Sequence, residues 1–140
     1  MKRICVIDGQ GGGIGSAVIK KLKELFEERI EIIALGTNAI ATAQMLKARA
    51  NRGASGENAI VHMTSRVDII IGPIGIIMAN AMMGEVTPRM AEAIASSSAK
   101  KILIPLNQEN VELAGISSMP LPHLIEALIR ENIKKEITID

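Results

Sequence analysis

Short runs of apolar residues alternate along this chain with segments in which apolar residues recur at helical spacing. The first run, residues 3–7 (RICVI), is almost wholly apolar and is soon followed by glycines, as expected of a strand buried on both faces. After those glycines, apolar residues recur three or four positions apart, with lysines on the opposite face. The members of this helical pattern are Ile14, Val18, Leu22, Leu25 and Phe26.

The same alternation continues to the end of the chain. Further strands are predicted at residues 30–35, 59–63, 67–71 and 101–106, with an edge strand at 137–139. Helices are predicted at 38–49, 87–98 and from 118–120 onward, with Thr37 or Asn38 capping the first and Thr87-Pro88 starting the second. Residues 51–58 are predicted to be a connection. Repeated βαβ units predict a Rossmann-like three-layer α/β/α sandwich with a mostly parallel sheet, and the 140 residues predict one domain, 1–140.

The composition narrows the classes of function. Because 16 basic and 15 acidic residues nearly cancel, nothing favours nucleic acid or a membrane as a partner. The single cysteine favours a reducing, cytoplasmic compartment, and two separated histidines provide no metal-ligand spacing. Phe26 is the only aromatic residue, so no tyrosine is available as an acid or a nucleophile. The apolar fraction of 48% in so short a chain predicts a homo-oligomer.

The strongest candidate for chemistry is the glycine turn, residues 9–15, which follows Asp8. It reads Gly9, Gln10, Gly11, Gly12, Gly13, Ile14 and Gly15. Glycine lets backbone N–H groups approach a ligand closely, and the helix that follows presents its positive end. The turn therefore predicts binding of a phosphorylated ligand, a nucleotide or a dinucleotide, with NAD or NADP as the first cofactors to consider. The spacing of Gly9, Gly13 and Gly15 resembles the cofactor loop of short-chain dehydrogenases/reductases. The alternative is that the glycines only turn the chain.

Other residues argue against an ordinary dehydrogenase. No acidic residue ends the second strand, where NAD enzymes carry a ribose-binding carboxylate, although Thr37 and Asn38 could hydrogen-bond a ribose. A catalytic Tyr-x-x-x-Lys pair is impossible without tyrosine. Asp8 places a negative charge where phosphates would lie. It could cap N–H groups of the turn, hold a metal together with a phosphate, or act as an acid or base.

Two further clusters are expected at the carboxyl edge of the sheet, where α/β proteins bind ligands. Gly72, Pro73 and Gly75 follow a buried strand and should face the glycine turn, either as part of the cofactor site or as a rigid turn. Asn107 follows the next strand and could recognise a sugar hydroxyl or a carboxamide, and Glu109 is the best-placed candidate for a general base. For these last two residues the alternative is a solvated loop.

The whole chain resembles a bacterial family of about this length that is known only as domain of unknown function 3842. The segments that carry the resemblance are DGQGGGIG at 8–15, TNAIATAQMLKA at 37–48, GASGENAI at 53–60, IIGPIGI at 70–76 and IPLNQENVELAGI at 104–116. The resemblance implies a bacterial cytoplasmic protein and brings no established activity with it.

Three functional hypotheses follow from the sequence. The first is a nucleotide- or dinucleotide-binding protein with its ligand at the glycine turn. The second is an enzyme acting on a small phosphorylated or carboxylated metabolite, with Glu109 or Asp8 as the acid or base. The third is a ligand-free, oligomeric interaction module in which the glycine turn has no ligand.

Overall fold

The protein, described by a computed structural model over residues 1–106 and 110–137, is built on a five-stranded sheet. The strands are β1 (Lys2–Asp8), β2 (Ile30–Gly36), β3 (Arg52–Ser55), β4 (Ile69–Pro73) and β5 (Lys100–Ile104). They lie in the order β3-β2-β1-β4-β5, and every neighbouring pair is parallel. The predicted parallel sheet is therefore confirmed.

Helices follow the strands on both faces of the sheet. The described α-helices are α1 (Gly13–Phe26), α2 (Ala39–Lys47), α3 (Glu57–Met63), α4 (Pro88–Ser96) and α5 (Leu121–Ala127). A π-helix over Leu128–Ile133 continues α5, and short 3-10 helices cover Glu27–Arg29 and Ile74–Ile77. No helix in the described part of the chain is long and apolar enough to cross a membrane.

Side chains from the strands form two cores, one on each face of the sheet. In β1, Ile4 and Val6 lie in the core beneath α1, α2 and α5, whereas Cys5 and Ile7 lie in the core beneath α3 and α4. Successive side chains of a strand alternate between faces, so a strand covered on both sides must be apolar at every position. This requirement explains the continuous apolar run in the sequence and confirms the three-layer sandwich.

Side-chain caps fix the start of two helices. The Asn38 carboxamide oxygen accepts a hydrogen bond from the amide of Ala41 at 2.8 Å, so Asn38 is the N-cap of α2. The Thr87 hydroxyl accepts one from the third amide of α4 at 3.1 Å, and Pro88 occupies the first helical position, where no N–H is needed. Each cap satisfies an amide that has no partner inside its helix. Both predicted helix starts are confirmed.

Two predictions for residues 51–63 are wrong. Residues 59–63 were expected to form a strand but lie in α3, because a short apolar run does not distinguish a strand from a short helix. Residues 52–55 were expected to lie in a connection but form β3. All four residues of β3 are exposed, so this edge strand has no apolar pattern and is held by backbone pairing with β2. The predicted strand at 137–139 falls mostly outside the described residues.

The direction of strand addition reverses at β1, which opens a crevice at the carboxyl ends of β1 and β4. From β1 the chain adds β2 and β3 on one side, and β4 and β5 lie on the other. The helices that follow β1 and β4 cover opposite faces, so the loops diverge there. The two backbones come very close: a Cβ on Gly72 would overlap the carbonyl oxygen of Ile7 and lie 2.8 Å from the Cδ1 atom of Ile76.

Substitution of Gly72 by alanine is expected to lower the free energy of unfolding by about 1 to 3 kcal/mol, because the strand backbone cannot move aside from the new methyl group. Gly53→Ala in β3 is the matched control. Its Cβ would meet side-chain atoms of Thr42 at 3.0 Å and Leu46 at 3.2 Å, and these can shift. Chemical denaturation measures both variants. Equal losses would contradict this account of the close approach between β1 and β4.

Candidate functional site

The glycine turn joins β1 to α1 and includes the first residues of that helix. The Gly12 amide donates to the carbonyl oxygen of Gly9 at 2.9 Å, which closes the turn. Gly12 is also the N-cap of α1, with φ of 74°, and Gln10 has φ of 50°. Left-handed backbone is accessible to glycine and costs other residues energy. A Cβ at Gly12 would in addition lie 2.7 Å from the carbonyl oxygen of Ala41, so conformation and packing both require this glycine.

Asp8 lies beneath the turn and binds both of its ends. The Oδ1 atom accepts a hydrogen bond from the Gly9 amide at 2.8 Å, and Oδ2 accepts one from the Gly15 amide at 2.7 Å. The residue is 3% exposed. Burial raises the pKa of Asp8 above its ordinary value of 3.8, against the lowering effect of the hydrogen bonds from Gly15, Gly9 and Ile14. These are the contacts of a cap, one of the three roles considered for this carboxylate.

Packing explains two other glycines of the turn. A Cβ on Gly9 would lie 2.6 Å from both the Sδ atom of Met82 and the Oγ1 atom of Thr37. A Cβ on Gly15 would lie 2.5 Å from the Sδ atom of Met45, as well as close to Asp8. These distances are too short for real contacts, so a larger residue at either position would force the methionine side chain, and at Gly9 also Thr37, to shift. Neither glycine needs a ligand to account for it.

Gly11 and Gly13 have no such explanation. Both are exposed, neither has a left-handed φ, and a Cβ at either position would meet nothing within 4 Å. Within residues 1–106 and 110–137, their amides have no hydrogen-bond acceptor. Gly13 is the first residue of α1, whose first amides carry the positive end of the helix dipole. The turn therefore has two exposed glycines whose N–H groups have no acceptor among the described residues.

Glu85 is the functional candidate that sequence reasoning missed. Its Oε1 atom accepts hydrogen bonds from the Gln10 amide at 2.8 Å, the Thr37 hydroxyl at 2.7 Å and the Asn38 carboxamide nitrogen at 2.8 Å. The only sequence signal is that Glu85 is the first charge after the uncharged run that begins at Ile69. Nothing in that position connects it with Thr37, 48 residues earlier.

The hydrogen bonds of Glu85 also determine its charge state. Burial acts to raise the pKa of this half-buried carboxyl, but the bonds from Gln10, Thr37 and Asn38 outweigh burial and hold the pKa below its ordinary value of 4.5. Glu85 is therefore ionised at neutral pH. Among the described residues, no lysine or arginine forms an ion pair with it or with Asp8.

Glu85 lies in the segment of residues 78–87, here called the 78–87 loop, which places it beside the glycine turn. Three non-glycine residues of this loop have left-handed backbone: Asn80 (φ 68°), Met82 (φ 58°) and Met83 (φ 57°). Each such residue costs about 1 to 2 kcal/mol relative to ordinary backbone. The loop is closed by hydrogen bonds from the Asn80 amide to the carbonyl oxygen of Val86 at 2.6 Å and from the Val86 amide to Ala81 at 3.2 Å. The surrounding contacts therefore hold Glu85 in a defined place.

The structure brings together only part of the predicted site. Gln10, Thr37 and Asn38 meet at Glu85, and the Asn38 carboxamide nitrogen also donates to the carbonyl oxygen of Gln10 at 3.0 Å. Gly72 and Pro73 are the last residues of β4 and are buried, as is Gly75 in the 3-10 helix that follows. On that side of the crevice, the described contacts to the turn come from the 78–87 loop. The predicted residues Asn107 and Glu109 lie outside the described residues.

Residues 1–106 and 110–137 contain no group of three or more histidine, cysteine, aspartate or glutamate side chains that could hold a metal ion.

A cavity of about 630 Å³ lies further along the carboxyl edge, beyond β5, and is lined by residues 105–106 and 112–119. No residue of the glycine turn lines it, so its size carries no information about that turn.

Loss of the Glu85 charge is expected to weaken the fold in a pH-dependent way. Because the folded-state pKa lies below the unfolded value near 4.5, the stabilising contribution is complete above that pH and is lost as the pH falls through the folded-state pKa. The substitution Glu85→Gln should therefore lower the free energy of unfolding by about 1 to 2 kcal/mol at pH 7, and by less in acid. Chemical denaturation over a pH series measures this difference.

The matched control is the same substitution at Glu92, which is exposed on α4. Glu92→Gln is expected to change the free energy of unfolding by less than about 0.5 kcal/mol, as is usual for exposed surface positions. A difference between wild type and Glu85→Gln that grows as the pH falls would contradict the assigned hydrogen bonds.

Comparison with solved structures finds proteins with a similar fold. Apo saccharopine dehydrogenase (L-Glu forming) from Saccharomyces cerevisiae is 13% identical, with a TM-score of 0.51; the match covers 76% of this chain and 22% of that one. A dodecameric FMN-dependent Ubix-like decarboxylase from Escherichia coli O157:H7 is 20% identical, with a TM-score of 0.47; the match covers 93% and 75%. This chain thus spans about a fifth of the dehydrogenase, and the likeness extends to the Rossmann-like fold alone.

Sequence comparison gives a more specific result. No curated protein matches the chain. A family model described as domain of unknown function (DUF3842) matches residues 3–138, which include the glycine turn, Thr37, Asn38 and Glu85. The resemblance inferred from the sequence segments is confirmed over almost the whole length. The chain belongs to the family described as domain of unknown function (DUF3842).

Proposed function

We propose that this protein binds a nucleotide or dinucleotide cofactor of the NAD(P) type at the glycine turn. The observation that carries the proposal is the pair Gly11 and Gly13, which neither backbone conformation nor packing requires. Gly13 begins α1, where alanine is the better helix former, and Gly11 lies in the turn before it, so glycine at either position supports a role outside folding. The role that fits is close approach of a ligand phosphate to unpaired backbone amides.

The position of the turn in the sheet supports the same proposal. It lies at the crevice where the order of strands reverses, and open α/β sheets bind ligands at such points. The helix α1 directs the positive end of its dipole there and is 14 residues long, enough to sustain that dipole. Thr37, next to the end of the adjacent strand β2, donates its hydroxyl proton to Glu85, and its oxygen can still accept a hydrogen bond from a sugar hydroxyl.

The charges around the turn favour a dinucleotide over a nucleoside triphosphate. Asp8 and Glu85 are both close to it, and no lysine or arginine pairs with either carboxylate in the described residues. The phosphates are therefore proposed to be held mainly by amides and the helix dipole. A pyrophosphate diester carries fewer negative charges than a triphosphate, so it meets less repulsion in this environment.

The other two hypotheses stay predictions. An enzymatic role for Asp8 has to compete with two backbone hydrogen bonds that already use both oxygens of its carboxylate. Glu109 lies outside the described residues. A ligand-free interaction module would leave Gly11 and Gly13 unexplained, and no contact of the described residues favours it over cofactor binding.

Gly13→Ala is expected to abolish or strongly weaken cofactor binding without harming the fold. The new methyl group would stand in open space in front of the first amides of α1, where the phosphate is proposed to bind. We expect at least about a tenfold loss of affinity. Because alanine is the better helix former, the free energy of unfolding should stay the same or rise by up to about 1 kcal/mol. Titration calorimetry with NAD(H) and NADP(H), together with chemical denaturation, tests both parts.

Gly12→Ala provides the contrasting variant one residue away. Its methyl group would clash with the backbone of Ala41, and its left-handed φ disfavours alanine, so the fold itself should be destabilised.

Wild-type protein that binds none of the four dinucleotide forms would refute the proposal. Undiminished binding by Gly13→Ala would refute the assignment of the phosphate to these amides.

We also infer that the protein forms a homo-oligomer. Several large apolar side chains of the described surface are exposed, among them Met83 (94%), Ile40 (68%) and Ile116 (54%). Burial of such groups against another copy of the chain would remove apolar area from water. Multi-angle light scattering should give a mass that is a multiple of 14.9 kDa. The mass of a single chain at micromolar concentration would contradict the inference.

A further inference from the structure

A carboxylate occupies the position next to β2 where dinucleotide-binding folds hold a ribose, although the sequence of β2 does not provide one. In such folds an acidic residue at the end of the second strand accepts hydrogen bonds from the ribose hydroxyls. Here β2 ends at Gly36 and is followed by Thr37 and Asn38, which are neutral. The 78–87 loop brings the Oε1 atom of Glu85 to 2.7 Å from the Thr37 hydroxyl and 2.8 Å from the Asn38 carboxamide nitrogen.

We propose that Glu85 is the ribose-binding carboxylate of this site and that it selects a dinucleotide with a free 2′-hydroxyl over one with a 2′-phosphate. This inference rests on the proposed function, because it names which form of the cofactor the same site accepts. It assigns the role to a residue between β4 and α4, not to one at the end of β2.

The position of Glu85 between two parts of the site supports this role. The same Oε1 atom accepts a hydrogen bond from the amide of Gln10, so the carboxylate bridges the glycine turn and the end of β2. We place a ribose joined to a pyrophosphate on Gly11 and Gly13 beside that bridge. All the hydrogen bonds that Glu85 accepts from described residues end on Oε1, which leaves Oε2 free to accept from a hydroxyl.

The charge of Glu85 supplies the discrimination. A ribose 2′-hydroxyl can donate to the carboxylate, whereas a 2′-phosphate would place negative charge beside it. No lysine or arginine of the described residues pairs with Glu85 to offset that repulsion. In a partly buried site, repulsion between Glu85 and a 2′-phosphate contributes more to this selectivity than the hydrogen bond from a 2′-hydroxyl does. NAD(H) should therefore bind more tightly than NADP(H).

The backbone of the 78–87 loop favours a fixed acceptor over a mobile one. Asn80, Met82 and Met83 are held in left-handed conformations, and the Sδ atom of Met82 packs where a Cβ of Gly9 would stand. A carboxylate placed in advance loses little further freedom when it accepts a hydrogen bond from a ligand. The opposite possibility is that Glu85 occupies the turn as an internal anion that a ligand must displace, and the experiment separates the two.

The test is titration of wild type, Glu85→Gln and the exposed control Glu92→Gln with NAD⁺ and with NADP⁺. Wild type and Glu92→Gln are expected to bind NAD⁺ at least about tenfold more tightly than NADP⁺. Glu85→Gln is expected to lose at least about tenfold in NAD⁺ affinity without a matching loss for NADP⁺, so that the ratio falls toward one. Glu85→Asp, which keeps the charge, should retain the preference for NAD⁺, and it serves if Glu85→Gln does not fold.

Each other outcome overturns a defined part of the proposal. Equal affinity of wild type for both dinucleotides, or a preference for NADP⁺, refutes the role of Glu85 and leaves cofactor binding intact. Tighter binding of both dinucleotides by Glu85→Gln shows that the carboxylate blocks the turn and refutes its role as a ribose acceptor. Absence of binding by wild type refutes the proposed function and this inference with it.

Discussion

Two hydrogen bonds to the carboxylate of Asp8 tie together the beginning and the end of the glycine turn. One oxygen accepts from the Gly9 amide and the other from the Gly15 amide, and the residue is buried without a cation partner among the described residues. Burying a carboxylate costs free energy, and here these hydrogen bonds offset part of that cost. Between these two ends Gly12 packs against Ala41, while Gly11 and Gly13 on either side of it are exposed. The turn that leaves Gly11 and Gly13 exposed is therefore anchored by Asp8.

The same constraint limits what the turn can hold. Asp8 and Glu85 place two carboxylates around the proposed binding surface, which consists of backbone amides and one helix terminus. The field is therefore weak for a ligand of high negative charge and adequate for a phosphate diester with hydroxyl groups nearby. This balance is why we propose binding of a dinucleotide and not transfer of a phosphoryl group.

The sequence was sufficient for the parts of the fold that depend on local apolar pattern. Strands β1, β2, β4 and β5 are buried on one or both faces, and their apolar runs predict them. The edge strand β3 and the helix α3 were assigned wrongly because β3 is wholly exposed and α3 buries only Ile60. Glu85 was missed for a different reason. Its partners Thr37 and Asn38 lie almost fifty residues away, and only the paths of β2 and the 78–87 loop bring them together.

The glycine spacing that resembles a dehydrogenase loop combines glycines with different physical roles. Gly9 makes room for Met82 and Thr37, and Gly15 makes room for Met45, so both serve the packing of the protein. Gly13 has no packing role and leaves the start of α1 open. The spacing alone therefore overstates the number of residues available to a ligand. Gly9 leaves room for the 78–87 loop and therefore for Glu85. The glycine that resembles part of a phosphate-binding loop thus allows an acidic side chain to lie against that loop.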